Sequence, residues 1–286
     1  MKLCFSLPNF YNFFKINEVL IRMSNINPDI FKTNLCFESA HGSYPYCYWN
    51  GNSNSNKGPG VLYHNFVDCG LKSALPLRLS MSNLNLLDED FSNVMANIIL
   101  KETMSGSAYV EVANLSLYEY IAANYPYYRF VLSKDADFAH PYSQEILNGF
   151  LENDGFNIVE LPMRLNHDID FIKGLSNRNK LEIQINSKCP LTCDHLKECH
   201  LATQTNQFNY SEYNVYTICE KSINHLMDDV ISIEEILTTY APLGIKYYKL
   251  DMFENDKKYI DFIRNYFIKP ECVAIFNDIL AKEGIL

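Results

Sequence analysis

The strongest constraint on this fold is a rhythm in which short strand-like stretches alternate with helix-length amphipathic ones along the chain. The strand-like stretches are Leu3 to Phe5, Asn34 to Glu38, Leu75 to Met81, Tyr109 to Ala113, Tyr128 to Ser133, Asn157 to Leu161, Lys180 to Ile185 and Tyr247 to Asp251. Apolar residues recur at helical intervals over Asn9 to Met23, Asp88 to Lys101, Ser116 to Asn124, Ser143 to Glu152, Asp168 to Leu175, Ile233 to Tyr240 and Asp256 to Phe267. A strand repeats about every 2 residues and a helix about every 3.6, so the two patterns separate even in short windows. Parallel strands need long crossovers, usually helical, and strict alternation therefore predicts a parallel sheet. Eight strands in this rhythm predict a single (β/α)8 TIM-like barrel over residues 1–286, since an open doubly wound sheet seldom carries so many.

One interval breaks the rhythm. Residues 39–60 include Gly-Asn-Ser-Asn-Ser-Asn-Lys-Gly-Pro-Gly, which offers nothing to a core. A loop that long in a compact domain is usually a functional lid or an excursion. Its aromatic shoulder, which ends at Trp49, makes Trp49 a candidate substrate contact.

Barrels of this kind hold their chemistry at the C-terminal ends of the strands. Here those ends carry Ser6, Glu38 with His41, Arg78 with Ser80, Glu111 with Asn114, Ser133 with Asp135, Glu160 with Arg164, Asn186 with Cys189, and Asp251. A Glu38/His41 pair at the mouth could do general acid–base work. Glu111 and Glu160 are further candidate catalytic carboxylates, with Arg78 and Arg164 as substrate contacts. Inward-facing polar layers can equally be structural salt bridges, and that alternative stands for Arg78, Glu111 and Glu160.

The most concentrated chemistry follows the seventh strand, where Cys189-x3-Cys193-x5-Cys199 precedes Cys219, with His195 and His200 inside the cluster. A strand that runs out into soft ligands is a common mounting for a metal. Four thiolates suit either tetrahedral zinc or an iron–sulfur cluster. Structural zinc favours Cys-x2-Cys knuckles, because that gap aims two sulfurs at one ion, and the chain has none. The wider, uneven gaps favour a 4Fe-4S cluster, with zinc as the alternative. Radical S-adenosylmethionine enzymes carry Cys-x3-Cys-x2-Cys after the first strand; here the third position is Leu196, and the cluster follows the seventh. Cys4 and Cys36 sit in apolar strands and Cys272 in an apolar terminal helix, so these three read as core.

Asn186, the Cys-x3-Cys with Pro190 inside it, the distant Cys219 and the closing Lys249-Leu-Asp251 strand together resemble the collagenase-like peptidases of unknown catalytic type, peptidase family 32 of that group. The resemblance covers the last hundred residues or so. That family includes oxygen-independent hydroxylation factors for quinone precursors and for RNA bases, in which four cysteines hold a 4Fe-4S cluster. The resemblance implies Cys189, Cys193 and Cys219 as ligands, with Cys199 as the fourth or His195 or His200 in its place. It also implies redox modification, oxygen-independent hydroxylation included, of an aromatic or nucleobase-like substrate, either a small molecule or an RNA base. Some members work in pairs, so a homo- or heterodimer partner is a further implication. Proteolysis is not expected, because no Ser/His/Asp arrangement or His-Glu-x-x-His helix is present. A radical S-adenosylmethionine-type enzyme, a zinc-stabilised hydrolase-like barrel and a non-catalytic partner subunit are the alternative readings.

A net charge of -10 argues against non-specific DNA binding, which needs clustered Lys and Arg, though a local basic groove for structured RNA remains compatible. No stretch approaches the roughly 20 apolar residues of a membrane span. Met1-Lys-Leu-Cys-Phe-Ser-Leu-Pro8 does not read as a secretory signal. With nine cysteines, an odd number, this predicts reduced thiols and a cytoplasmic location.

Overall fold

The computed structural model describes residues 1–10, 12–42, 49, 76–81, 94–102, 109–138, 141–187, 230–251, 253 and 255–286. Residues 43–60 other than Trp49, the start of the helix expected from Asp88, and Cys189, Cys193, Cys199 and Cys219 lie outside the described residues.

The alternation folds as the sequence predicts. Strands β1 (Leu3–Leu7), β2 (Leu35–Gly42), β3 (Leu77–Met81), β4 (Tyr109–Val112), β5 (Arg129–Leu132), β6 (Ile158–Glu160), β7 (Leu181–Gln184) and β8 (Tyr247–Lys249) form a closed barrel in sequence order. Every neighbouring pair is parallel, and β1 meets β8 through Cys4↔Tyr247, Phe5↔Tyr248 and Ser6↔Lys249. The protein is a (β/α)8 TIM-like barrel.

Helices α1 (Phe14–Ile26), α2 (Val94–Glu102), α3 (Leu115–Asn124), α4 (Gln144–Glu152), α5 (Ile169–Lys173), α6 (Ile233–Glu235), α7 (Asp256–Phe267) and α8 (Val273–Lys282) accompany the strands. Several start on a residue suited to the task. The side chains of Asn114, Ser143, Asp168, Ser232 and Asn255 accept a backbone N–H from three residues on, at 2.9–3.2 Å. Each satisfies one of the donors that a helix start leaves open. After Glu235 the α-helical turn widens into a π-helix over Ile236–Tyr240, where a longer α-helix is expected from the sequence. Tyr240 is fully buried there, and its hydroxyl donates to the Asn166 carbonyl at 2.8 Å.

The main core lies between strands and helices. Phe5 and Phe37 meet Phe267 of α7 edge-on, with ring centroids 4.8 and 5.4 Å apart. Tyr248 of β8 stacks on Phe5 at 5.3 Å. Fully burying one such ring stabilises a fold by roughly 1.5–3 kcal/mol, so this aromatic set locks the first and last strands together. A smaller apolar cluster of Tyr109, Val131 and Ile158, with Tyr247 against it, lies inside the barrel, on the inward phase of β4, β5, β6 and β8. No described helix is long and apolar enough to cross a membrane.

The second strand departs from expectation. It continues through Ser39, Ala40, His41 and Gly42 instead of stopping at Glu38, so the irregular segment cannot begin at Ser39. The far half of the strand pairs with β1 and β3, past a bulge. Phe5 pairs with Phe37 but Ser6 pairs with Ser39, leaving Glu38 as the extra residue. A bulge of this kind re-aims the side chains beyond it. Gly42 ends the strand where a Cβ would lie 2.9 Å from the Phe10 ring, and Phe10 N–H donates to the His41 carbonyl at 3.1 Å. Only glycine allows that close approach, which fixes the backbone at His41.

Candidate active site at the C-terminal mouth of the barrel

Period-two alternation decides what the barrel interior contains. On β3, β4, β6, β7 and β8 the inward positions halfway along the barrel are Arg78, Glu111, Glu160, Glu182 and Lys249, and all five are at least nine-tenths buried. Arg78 is the hub. Its Nε donates to Glu111 Oε2 at 2.8 Å, its Nη1 to both oxygens of Glu182 at 2.9 and 2.7 Å, and its Nη2 to Glu160 Oε1. Lys249 bridges the same carboxylates, reaching Glu111 Oε2 at 3.0 Å and also Glu160 Oε1. The outer oxygens are used too. Ser133 donates its hydroxyl to Glu111 Oε1 at 3.2 Å, and the Lys134 backbone N–H donates to Glu160 Oε2 at 2.9 Å.

This layer answers the choice between salt bridge and substrate contact for Arg78. Its guanidinium is 0% exposed, with carboxylates on Nε, Nη1 and Nη2, and so it orders the layer. Glu111 is a strut of the same kind. Burial alone would raise its pKa, but Lys249 and then Arg78 hold it at about 2, too weakly basic to take a proton near neutrality. Glu160 is likewise held below the usual carboxylate range: burial and Glu111 push it up, and Lys249 and Arg78 outweigh them. Glu182 moves the other way. Burial pushes it up to about 7, with the charge of Glu160 adding to the effect, despite its bidentate contact with Arg78. Glu182 and Lys249 are absent from the residues singled out by reading strand ends. The signal was present in the alternation of Leu181-Glu-Ile-Gln-Ile185, which puts Glu182 and Gln184 on one face.

No hydrogen bond or ion pair joins Glu38 to His41 among the described residues. Glu38, at the bulge, accepts the hydroxyl of Tyr109 on β4, towards the N-terminal end. His41 lies on the other side of the ionic layer, with Nε2 2.6 Å from the Leu250 carbonyl oxygen. A carbonyl can only accept, so Nε2 carries the proton and Nδ1 is the lone-pair nitrogen. Burial, with Lys249 and Arg78 adding their charge, holds the His41 pKa well below 6.5 and keeps the ring neutral.

The remaining expected residues occupy other positions. Trp49 is fully buried, and its ring meets Tyr120 of α3 edge-on at 5.7 Å. That places it in the core beside a barrel helix. Arg164, just after β6, donates to Asp137 at 2.8 and 3.1 Å and to the Tyr142 carbonyl at 3.3 Å, tying together the loops that follow β5 and β6.

The strand with the most direct route to the cysteines is β7. Beyond it, Asn186 accepts the Asp251 backbone N–H on its side-chain oxygen at 2.7 Å. Asn186 also forms an antiparallel bridge with Val230, and Ile231 N–H donates to the Ile185 carbonyl at 2.9 Å. The chain therefore leaves the mouth at Asn186 and returns to the same point at Val230, with all four candidate ligand cysteines in between. Near this exit, buried acceptors stand open: Gln184 Oε1 and Asn166 Oδ1 have no hydrogen-bond partner among the described residues. Their amide nitrogens are engaged, Gln184 Nε2 on the Asn186 carbonyl at 2.8 Å and Asn166 Nδ2 on the Gln184 carbonyl at 2.9 Å. Among the described residues no group of three or more His, Cys, Asp or Glu side chains is arranged to hold a metal ion.

Compared with known proteins, the chain matches no family model and no curated protein.

Proposed function

We propose that the protein is an iron–sulfur-dependent enzyme that carries out redox modification of an aromatic or nucleobase-like substrate at the C-terminal mouth, a class that includes oxygen-independent hydroxylation. One observation carries this reading. Asn186 and Val230, which flank Cys189, Cys193, Cys199 and Cys219 in the sequence, pair with each other at the C-terminal end of β7. In donor chemistry, four thiolates fit a 4Fe-4S cluster, and they fit zinc as well. A cluster, when bound, would supply one-electron transfer.

The chain's own residues would bind and orient. Arg78 and Lys249, clamped by Glu111, Glu160 and Glu182, set a fixed field beneath the substrate without being consumed in contacts to it. Neutral His41 offers Nδ1 as an acceptor. The open acceptors Gln184 Oε1 and Asn166 Oδ1 favour a ligand that presents N–H or O–H donors, as a nucleobase or phenol does, because a buried acceptor left unmet costs about 1–3 kcal/mol. Lys134 stays charged: burial disfavours its ammonium, but Asp135 and then Glu160 outweigh that.

The test is anaerobic purification of the wild type and of Cys193→Ala, with iron, sulfide and zinc analysis and a visible spectrum. A brown protein with about four irons and four sulfides, lost in the variant, supports the cluster. Colourless protein holding one zinc replaces the cluster with a zinc site. Protein that takes up neither metal after anaerobic reconstitution removes the redox reading.

A further inference from the structure

Cys4 on β1 and Cys36 on β2 are expected core residues by their apolar neighbours, and the structure shows a different arrangement. Leu3, Phe5, Leu35 and Phe37 are the buried positions, at no more than 3% exposed, and the two cysteines occupy the alternate phase. They are register partners across adjacent parallel strands, and their sulfurs lie 3.5 Å apart. Both are partly exposed free thiols. They sit towards the N-terminal end of the barrel, below the Glu38 bulge and opposite the mouth where the ionic layer opens. Adjacent strands run about 4.8 Å apart, inside the ~4.4–6.8 Å Cα separation that a disulfide spans. Side-chain rotation can therefore bring the sulfurs into bonding distance with little movement of the backbone.

The two thiols are not equivalent. The hydrogen bond between the two sulfurs draws the Cys36 pKa down; burial opposes this and Lys2 assists. The same hydrogen bond, with burial, pushes Cys4 up. Cys36 is thus the thiol available as a nucleophile, with Cys4 in place to resolve it.

We infer that Cys4 and Cys36 form a reversible dithiol–disulfide site that exchanges with small-molecule disulfides at the N-terminal end of the barrel. In the first step the Cys36 thiolate attacks one sulfur of the small disulfide, forming a mixed disulfide and releasing one small thiolate. Cys4, deprotonated by solvent, then attacks the Cys36 sulfur, forming the Cys4–Cys36 bond and releasing the second small thiolate. The protein gives up two electrons and two thiol protons, and the small disulfide is reduced to two thiols. The product ties β1 covalently to β2 at the end of the barrel where structure serves stability and not chemistry.

The experiment treats the full-length protein anaerobically with oxidised glutathione, quenches by alkylation and maps the peptides by mass spectrometry. The expected result is a linked peptide pair joining Cys4 to Cys36, two hydrogens lighter than the separate peptides, reversed by excess reduced glutathione. Cys4→Ser is expected to stop at a mixed disulfide on Cys36. Full alkylation of both cysteines in the treated wild type, or glutathione adducts on them without any link, would overturn the inference. The wild-type map decides the matter even if the variant fails to fold.

Discussion

Lys249 on β8 places its ammonium 3.0 Å from Glu111 Oε2 on β4, so the last strand is tied to the fourth across the diameter of the barrel. The same Glu111 oxygen accepts Arg78 Nε from β3 at 2.8 Å. Strands far apart around the wall thus share one carboxylate, and the middle of the barrel behaves as a single electrostatic unit.

Removing the hub should be costly. Arg78→Met leaves Glu111, Glu160 and Glu182 buried with Lys249 and the more distant charge of Lys134 to offset them, and breaking a buried ion network in this way costs about 3–5 kcal/mol. Arg78→Lys should recover only part of the loss, since an ammonium cannot present the planar fork that meets three carboxylates. Urea denaturation midpoints check both; a midpoint unchanged in Arg78→Met would refute the role given to the layer.

The layer also predicts a pH dependence with two signs. Glu182 has a folded pKa of about 7 against the ordinary 4.5 of a free glutamate, so the folded state holds the extra proton. Its contribution to stability is complete below pH 4.5 and falls as pH rises towards 7. Glu111, held at about 2, contributes stability above pH 4.5 that is lost as pH falls towards 2. Glu182→Gln should therefore flatten the decline between pH 4.5 and 7 and leave the acid limb in place. Thermal unfolding across that range, wild type against variant, measures it.

His41 should not titrate across the physiological range. Its ring is buried beside two cations and donates from Nε2 to the Leu250 carbonyl. Nitrogen NMR of the imidazole should show one neutral tautomer, protonated at Nε2, from pH 5.5 to 8. A protonated ring at pH 6, or a proton on Nδ1, would contradict the geometry.

Asn186 anchors the exit of the cysteine segment through its contact with Asp251 N–H at 2.7 Å. Asn186→Ala leaves that N–H without its acceptor, costing about 1–3 kcal/mol, and loosens the point where the chain leaves the mouth. On the proposed cluster reading, metal content after anaerobic reconstitution should drop along with stability. A variant that is less stable yet loads metal fully would show that the anchor serves the fold alone.

Sequence by itself determined the architecture. Strand-like stretches such as Tyr109 to Ala113 and Tyr128 to Ser133 declare themselves through local patterning, and parallel closure follows from the helical crossovers between them. Helix starts at Ser143 and Asp168 were equally legible, because capping is a contact over three residues. What only the tertiary structure decided was partnership. Glu38 and His41 are three positions apart and read as a pair, yet they lie at different levels along β2, one meeting Tyr109 and the other Leu250. Arg78, Glu111, Glu160, Glu182 and Lys249 come from five strands and meet only once the barrel closes. Cys4 and Cys36 read as core from their apolar neighbours, and only the register between β1 and β2 sets their sulfurs face to face. Local pattern fixes which face of a strand is buried; the barrel's closure and register, which depend on every strand at once, fix what each inward side chain meets.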